Sequence, residues 1–140
     1  MLKILLFIIT TVILMVLSIG NTDIVSRIPP SACSSDSPSI IELQEMYKNN
    51  NKKYFSSKLP NKVIIRYGGS DEYTGFTSYE NGVFIIEINP KHNLTPNQTE
   101  LTLIHEMCHV SSYPEFDDHG RKFMAELHRL MNAGVFDKLL

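Results

Sequence analysis

A small α+β domain follows from three features of this sequence. Thr74–Tyr79 and Val83–Ile88 are β-prone runs flanking Glu80-Asn81-Gly82, and Asn-Gly between such runs is the strongest short hairpin signal. Two stretches open with helix-start signatures, Ser39-Ile40-Ile41-Glu42 and Thr95-Pro96-Asn97-Gln98, in which a hydroxyl cap is followed three residues later by Glu or Gln. The 140 residues are 43% hydrophobic and 20% charged, a composition that builds one globular core and leaves no room for a second ordinary domain.

The elements can be placed in order. Met1-Leu2-Lys3 supplies one positive charge, and Ile4 to Ile19 is apolar apart from Thr10, Thr11 and Ser18. Ser18-Ile19-Gly20 offers small residues where a signal peptidase reads, so residues 1–20 form a leader cleaved before Asn21 or a retained membrane anchor. The run is slightly long for a leader and slightly short for a spanning helix, and the cleavage pattern favours the leader. With Lys3 inside, either form sends the rest of the chain outwards. Residues 21–38 form a tether: Pro29 to Ser39 holds five Ser and three Pro, a flexible or extended composition.

The domain proper spans 39–140. Ser39 caps a helix sustained by Ile40, Ile41, Met46 and Tyr47 towards Asn50, with Tyr54 and Phe55 near its end. Val63-Ile64-Ile65-Arg66-Tyr67, closed by Gly68-Gly69, reads as a strand, so with the Asn-Gly hairpin the sheet has three strands. Thr95 caps the next helix, with Pro at its first position. Leu101, Ile104 and Cys108 lie on one side of it and Leu103, Met107 and Val110 on the other, so this helix is buried between the sheet and another helix. Ser111 to Asp118 is a loop. Asp118 is placed to cap a last helix from about His119 to Asn132, stopped by Gly134.

The chemistry lies on the second helix, in His105-Glu106-Met107-Cys108-His109. Residues four apart on a helix fall about 40° from each other around the axis, so His105 and His109 project from one face towards one metal ion. Glu106, about 100° further round, addresses the same site as a base without ligating. A catalytic zinc site takes three protein ligands and keeps one position open. Candidates for the third are Glu115, Asp117, Asp118, His119, Glu126 and His128. His119 is favoured because it shares a helical face with Phe123, Leu127 and Leu130, whereas His128 and Glu126 lie on the opposite side, and Asp117 and Asp118 suit loop and cap roles. Zinc with an adjacent carboxylate is the chemistry of hydrolysis, with Glu106 taking a proton and returning it to the leaving amine. A chance HExxH on an amphipathic helix is the bland alternative; the capped helix, the preceding hairpin and the inward histidine oppose it.

With these residues the chain resembles the SprT-like zinc metallopeptidases from about Leu43 to Leu130. Tyr47–Phe55 followed by Leu59-Pro60 is similar to the family's first helix and its exit, and Val83 to Pro90 to the strand before the catalytic helix. Thr102–His109 matches that helix, and His119-Gly120-Arg121-Lys122-Phe123 matches the HGxxF element. The resemblance implies a zincin-like core with substrate extended along the sheet edge, zinc on His105, His109 and His119, and Glu106 as general base. Many relatives carry a Cys-rich zinc ribbon or DNA-binding tail, whereas this chain has only Cys33 and Cys108.

Charge narrows the partners. The chain has 13 basic and 15 acidic residues, and removal of 1–20 takes one Lys and no acid, so the exported part is mildly acidic and no basic footprint for nucleic acid exists. The expected partner is a protein or peptide substrate; the membrane is engaged only through the N-terminal segment, and the oligomeric state is left open. Two other readings compete: a non-catalytic zinc-stabilised module for a peptide or envelope partner, and an intracellular DNA-associated protease. Glu106 opposes the first, since a structural zinc needs no base, and the export signal opposes the second.

Several residues read two ways. Cys108 is a buried thiol by position, or a partner for Cys33 in an oxidising compartment; Cys33 is alternatively a zinc ligand that blocks the site until the tether leaves. Tyr113 is a candidate oxyanion donor or a packing residue, Arg121 the same or a solvated helix residue, and His92 a surface residue. Asn93-Leu94-Thr95 and Asn97-Gln98-Thr99 are N-glycosylation patterns, meaningful in a eukaryotic secretory route.

Overall fold

The computed structural model describes residues 37–114 and 119–140. The leader or anchor, most of the tether, Cys33, Glu115, Asp117 and Asp118 lie outside them. Among the described residues no helix is long and apolar enough to cross a membrane. Three helices, α1 (Ile40–Tyr54), α2 (Pro96–Ser112) and α3 (Arg121–Asn132), accompany three strands, β1 (Val63–Tyr67), β2 (Gly75–Glu80) and β3 (Val83–Ile88). This is the α+β domain that the sequence predicts.

Helix α1 begins as expected: Ser39 accepts from the Glu42 amide while the Glu42 carboxylate reaches back to Ser39 N at 2.7 Å. Leu43, Tyr47, Asn50 and Asn51 are buried, one stripe at helical spacing; Ile41 lies off that stripe, and Ile40, close to its line, is exposed in the first turn. Asn51 organises the exit. Its side chain donates to Leu59 O at 3.0 Å and accepts from Leu59 N at 3.1 Å, and its carbonyl accepts from Phe55 N and Ser57 N. Tyr47 Oη donates to Pro60 O at 2.9 Å, and burial pushes its pKa up to about 12.

This exit holds Ser56 and Ser57 at φ 55° and 58°, a region where a Cβ costs roughly 1–2 kcal/mol per residue. Ser57→Gly keeps the amide bond to Asn51 and removes the Cβ. It is expected to stabilise the domain by about 0.5–1 kcal/mol in urea unfolding, the relief exceeding glycine's entropic cost.

The sheet has the order β1-β3-β2. β1 runs parallel to β3, with Val63 opposite Phe84 and Tyr67 opposite Ile88. β2 runs antiparallel to β3, with Gly75 opposite Ile88 and Glu80 opposite Val83. Glu80 thus belongs to the strand and the loop is Asn81-Gly82 alone, both at positive φ, 50° and 82°, the pattern of a two-residue type I′ hairpin. β3 is central and apolar nearly throughout, with Ile86 and Ile88 fully buried. The alternation that turns Phe84, Ile86 and Ile88 to the helices also turns Val63, Ile65 and Tyr67 of β1 and Gly75, Thr77 and Tyr79 of β2 that way.

α2 packs on β2 and β3 on one side and on α1 and α3 on others. Leu103, Ile104, Met107 and Cys108 are all fully buried, the two-sided burial its sequence predicts. Thr95 caps it and Gln98 completes the box. α3 differs at its start: it begins at Arg121 after an N-cap at Gly120 that makes no side-chain cap bond, so His119 lies in the turn before the helix. Phe123, Leu127 and Leu130 are buried as expected. After Gly134 the chain returns through a short 3-10 turn, Phe136–Lys138, which puts Val135 and Phe136 into the core.

Candidate metal centre

Two turns of α2 and the turn before α3 bring three imidazoles together. His105 and His109 stand one turn apart, and one ring nitrogen from each, with one from His119, all lie within 4.8 Å of one another. His119 Nε2 is 3.4 Å from His105 Nε2. Ligands held at roughly 2.0–2.1 Å from a tetrahedral ion are about 3.3–3.4 Å apart, so this pair already has a chelating separation. Ring centroids form a near-equilateral triangle with sides of 5.3, 5.4 and 5.1 Å. Burial, followed by the neighbouring His109 and His119, lowers the pKa of His105 to about 3. Its ring is therefore neutral at physiological pH, the form that ligates metals. The donor set fits a divalent ion such as zinc.

Phe123 forms the floor beneath the triad. It is 1% exposed, and its ring lies 5.0 Å from His105, 4.6 Å from His119 and 4.4 Å from His109, nearly stacked on the last at 30°. The sequence marks Phe123 as a core residue four positions after His119. Its contact with all three imidazoles depends on how α3 crosses α2.

Glu106 projects from α2 towards β2. It is 1% exposed and accepts from Thr77 Oγ1 at 2.7 Å through Oε2. Gly75, two residues earlier on the same strand face, makes the space: a Cβ there would sit 2.8 Å from Glu106 Oε1, 3.0 Å from Glu106 Cγ and 2.6 Å from Thr102 Cγ2. Neither Thr77 nor Gly75 was visible as a site residue in the sequence. Strand alternation puts them on the helix-facing side, but only the register across α2 places them against Glu106.

The other candidates among the described residues have the following surroundings. His128 is exposed, and Glu126 pairs with Arg129 at 2.7 Å. Arg121 is exposed at the start of α3. Tyr113 packs, its ring 4.5 Å from Tyr79 and 5.2 Å from Phe84. His92 is on the surface, 2.9 Å from Asp71 O. Cys108 is fully enclosed, and burial holds its thiol far above the ordinary range, so it is inert packing. Asn93 is buried with both ends of its amide engaged. In the folded domain it cannot accept a glycan, although it carries the sequence pattern for one. Asn97 is exposed in the first turn of α2.

No curated protein matches the chain. The model of the SprT-like family matches residues 43–138, a region that starts inside α1 and contains the sheet, the triad-bearing helix α2 and α3. The chain belongs to the SprT-like family.

Proposed function

We propose that this protein is a zinc-dependent metallopeptidase, exported or tethered to the membrane through its N-terminal segment, that hydrolyses peptide bonds in a protein or peptide substrate. The observation that carries this reading is the convergence of His105, His109 and His119 beside a buried carboxylate on the same helix. Three imidazoles suit zinc and leave a coordination position open. Bound zinc supplies Lewis acidity, lowering the pKa of water towards about 7 and polarising a carbonyl. Glu106 is the general base: it takes the proton from water and returns it to the departing amine. A carboxylate buried to this extent has lost its bulk hydration, which makes it costly unless a function uses it.

Export rests on Ile4 to Ile19 following Lys3, and the acidic balance of the chain speaks against a nucleic-acid partner. The test is made on the purified full chain. One zinc per chain is expected, with cleavage of an unfolded protein substrate. A chelator should remove both, and added zinc should restore both. A chain without stoichiometric zinc would overturn the reading.

A further inference from the structure

Thr77 lies in the middle of β2, an edge strand, on the face turned towards α2 and beside the fully buried Ile86 of β3. Its hydroxyl meets two acceptors of one residue, Oε2 of Glu106 at 2.7 Å and the Glu106 carbonyl at 3.4 Å. A Glu side chain has three torsions to fix, and a buried carboxylate needs charge-assisted donors. One hydroxyl here serves both needs. Two residues earlier on the same strand face, Gly75 leaves the space that Glu106 Cγ and Oε1 occupy, since a Cβ there would meet both at 3.0 Å or less. One strand therefore contributes both the donor to the carboxylate and the room it occupies.

That strand is bolted to the helix independently of Glu106. Asn93 Nδ2 donates to the Thr74 carbonyl at 2.8 Å and to Asn89 O at 2.7 Å, while Asn93 Oδ1 accepts from Thr102 Oγ1 at 2.6 Å. Thr102 stands one turn before Glu106 on α2, and the Asn89 amide also donates to Thr74 O, at 2.9 Å. The start of β2 is thus held at fixed height along α2, and Thr77 reaches Glu106 as a consequence.

We propose that Thr77 is a positioning residue for Glu106: its hydroxyl locks the carboxylate in one rotamer within the space that Gly75 leaves, so that the base is oriented before substrate arrives. The proposal rests on the metallopeptidase reading above. Positioning errors of about 1 Å cost catalysis up to roughly 100-fold without weakening ground-state binding. Thr77→Val keeps the volume and the β-branched shape that a strand favours and removes only the donor.

The test compares the wild type, Thr77→Val and Thr77→Ser as full chains loaded with zinc. Thr77→Val is expected to lower kcat about 10–100-fold, with KM changed less than about twofold and zinc stoichiometry intact. Thr77→Ser, which restores the hydroxyl, should return kcat to within about threefold of wild type. A second measurement needs no activity. In zinc-free protein, Thr77→Val should lower the urea unfolding midpoint more in the wild-type background than in the Glu106→Gln background, because only the former leaves a buried charge without that donor. An unchanged kcat in Thr77→Val, no rescue by Thr77→Ser, or equal midpoint losses in both backgrounds would each overturn the proposal. A wild type that binds zinc but cleaves nothing would overturn the function instead, and the unfolding comparison would still decide whether Thr77 holds Glu106.

Discussion

Glu106→Gln is expected to reduce peptide cleavage by about 10²–10⁴-fold, the usual contribution of a positioned general base, while zinc content stays at one per chain. The substitution is nearly isosteric. Its amide oxygen can accept from Thr77 Oγ1 as Oε2 does at 2.7 Å, so the contact to β2 survives and the three imidazoles are untouched. Only the capacity to take a proton is lost. The same change should raise the stability of the zinc-free domain, because a carboxylate 1% exposed carries a desolvation cost that a neutral amide escapes. Zinc analysis, a cleavage assay and a thermal melt check the three parts together. Retained biological function with zinc still bound would favour the alternative of a zinc-stabilised binding module.

The second large effect concerns Phe123. Truncation of a buried Phe to Ala costs about 3–5 kcal/mol, a large share of the roughly 5–15 kcal/mol that holds a small domain together. Phe123→Ala should therefore shift the urea midpoint strongly downwards in zinc-free protein. It should also weaken zinc binding, because the ring packs within 5.0 Å of all three imidazole centroids and restricts their rotation. Phe123→Leu separates the two effects. It keeps most of the apolar volume, so its stability cost should stay below about 1.5 kcal/mol. It loses the flat face under His109, so zinc affinity should still fall, by about 10-fold or more, as when outer supports of a site are removed. Titration with zinc in the presence of a competing chelator reads this directly. Wild-type affinity in Phe123→Leu would mean that the backbone alone orients the triad.

The sequence carried most of the local structure because local rules govern it. Both capping boxes formed as Ser39–Glu42 and Thr95–Gln98 predict, and Asn81-Gly82 made the hairpin turn. Helical spacing placed His105 and His109 on one face. The HGxxF element placed His119 beside them, although the expected helical position of His119 was replaced by a turn capped at Gly120. The helix predicted from about His119 lost its first two residues to that turn. The apolar residues opening α1 start the helix without entering the core: Ile41 lies off the stripe that Leu43 and Tyr47 bury, and Ile40 is exposed in the first turn.

What the chain determined by itself is the set of elements, their caps and turn, and a ligand pair at helical spacing with a carboxylate beside it, all fixed by interactions within a few residues. The tertiary structure alone decided that β1 joins β3 in parallel and that β2 becomes the edge beside α2. It also decided that Thr77 and Gly75 enclose Glu106, that Phe123 underlies the triad, and that Asn93 is a buried clamp. Each of these depends on the register of one element against another far along the chain, and that register is set by the packing of whole faces, which no short window of sequence encodes.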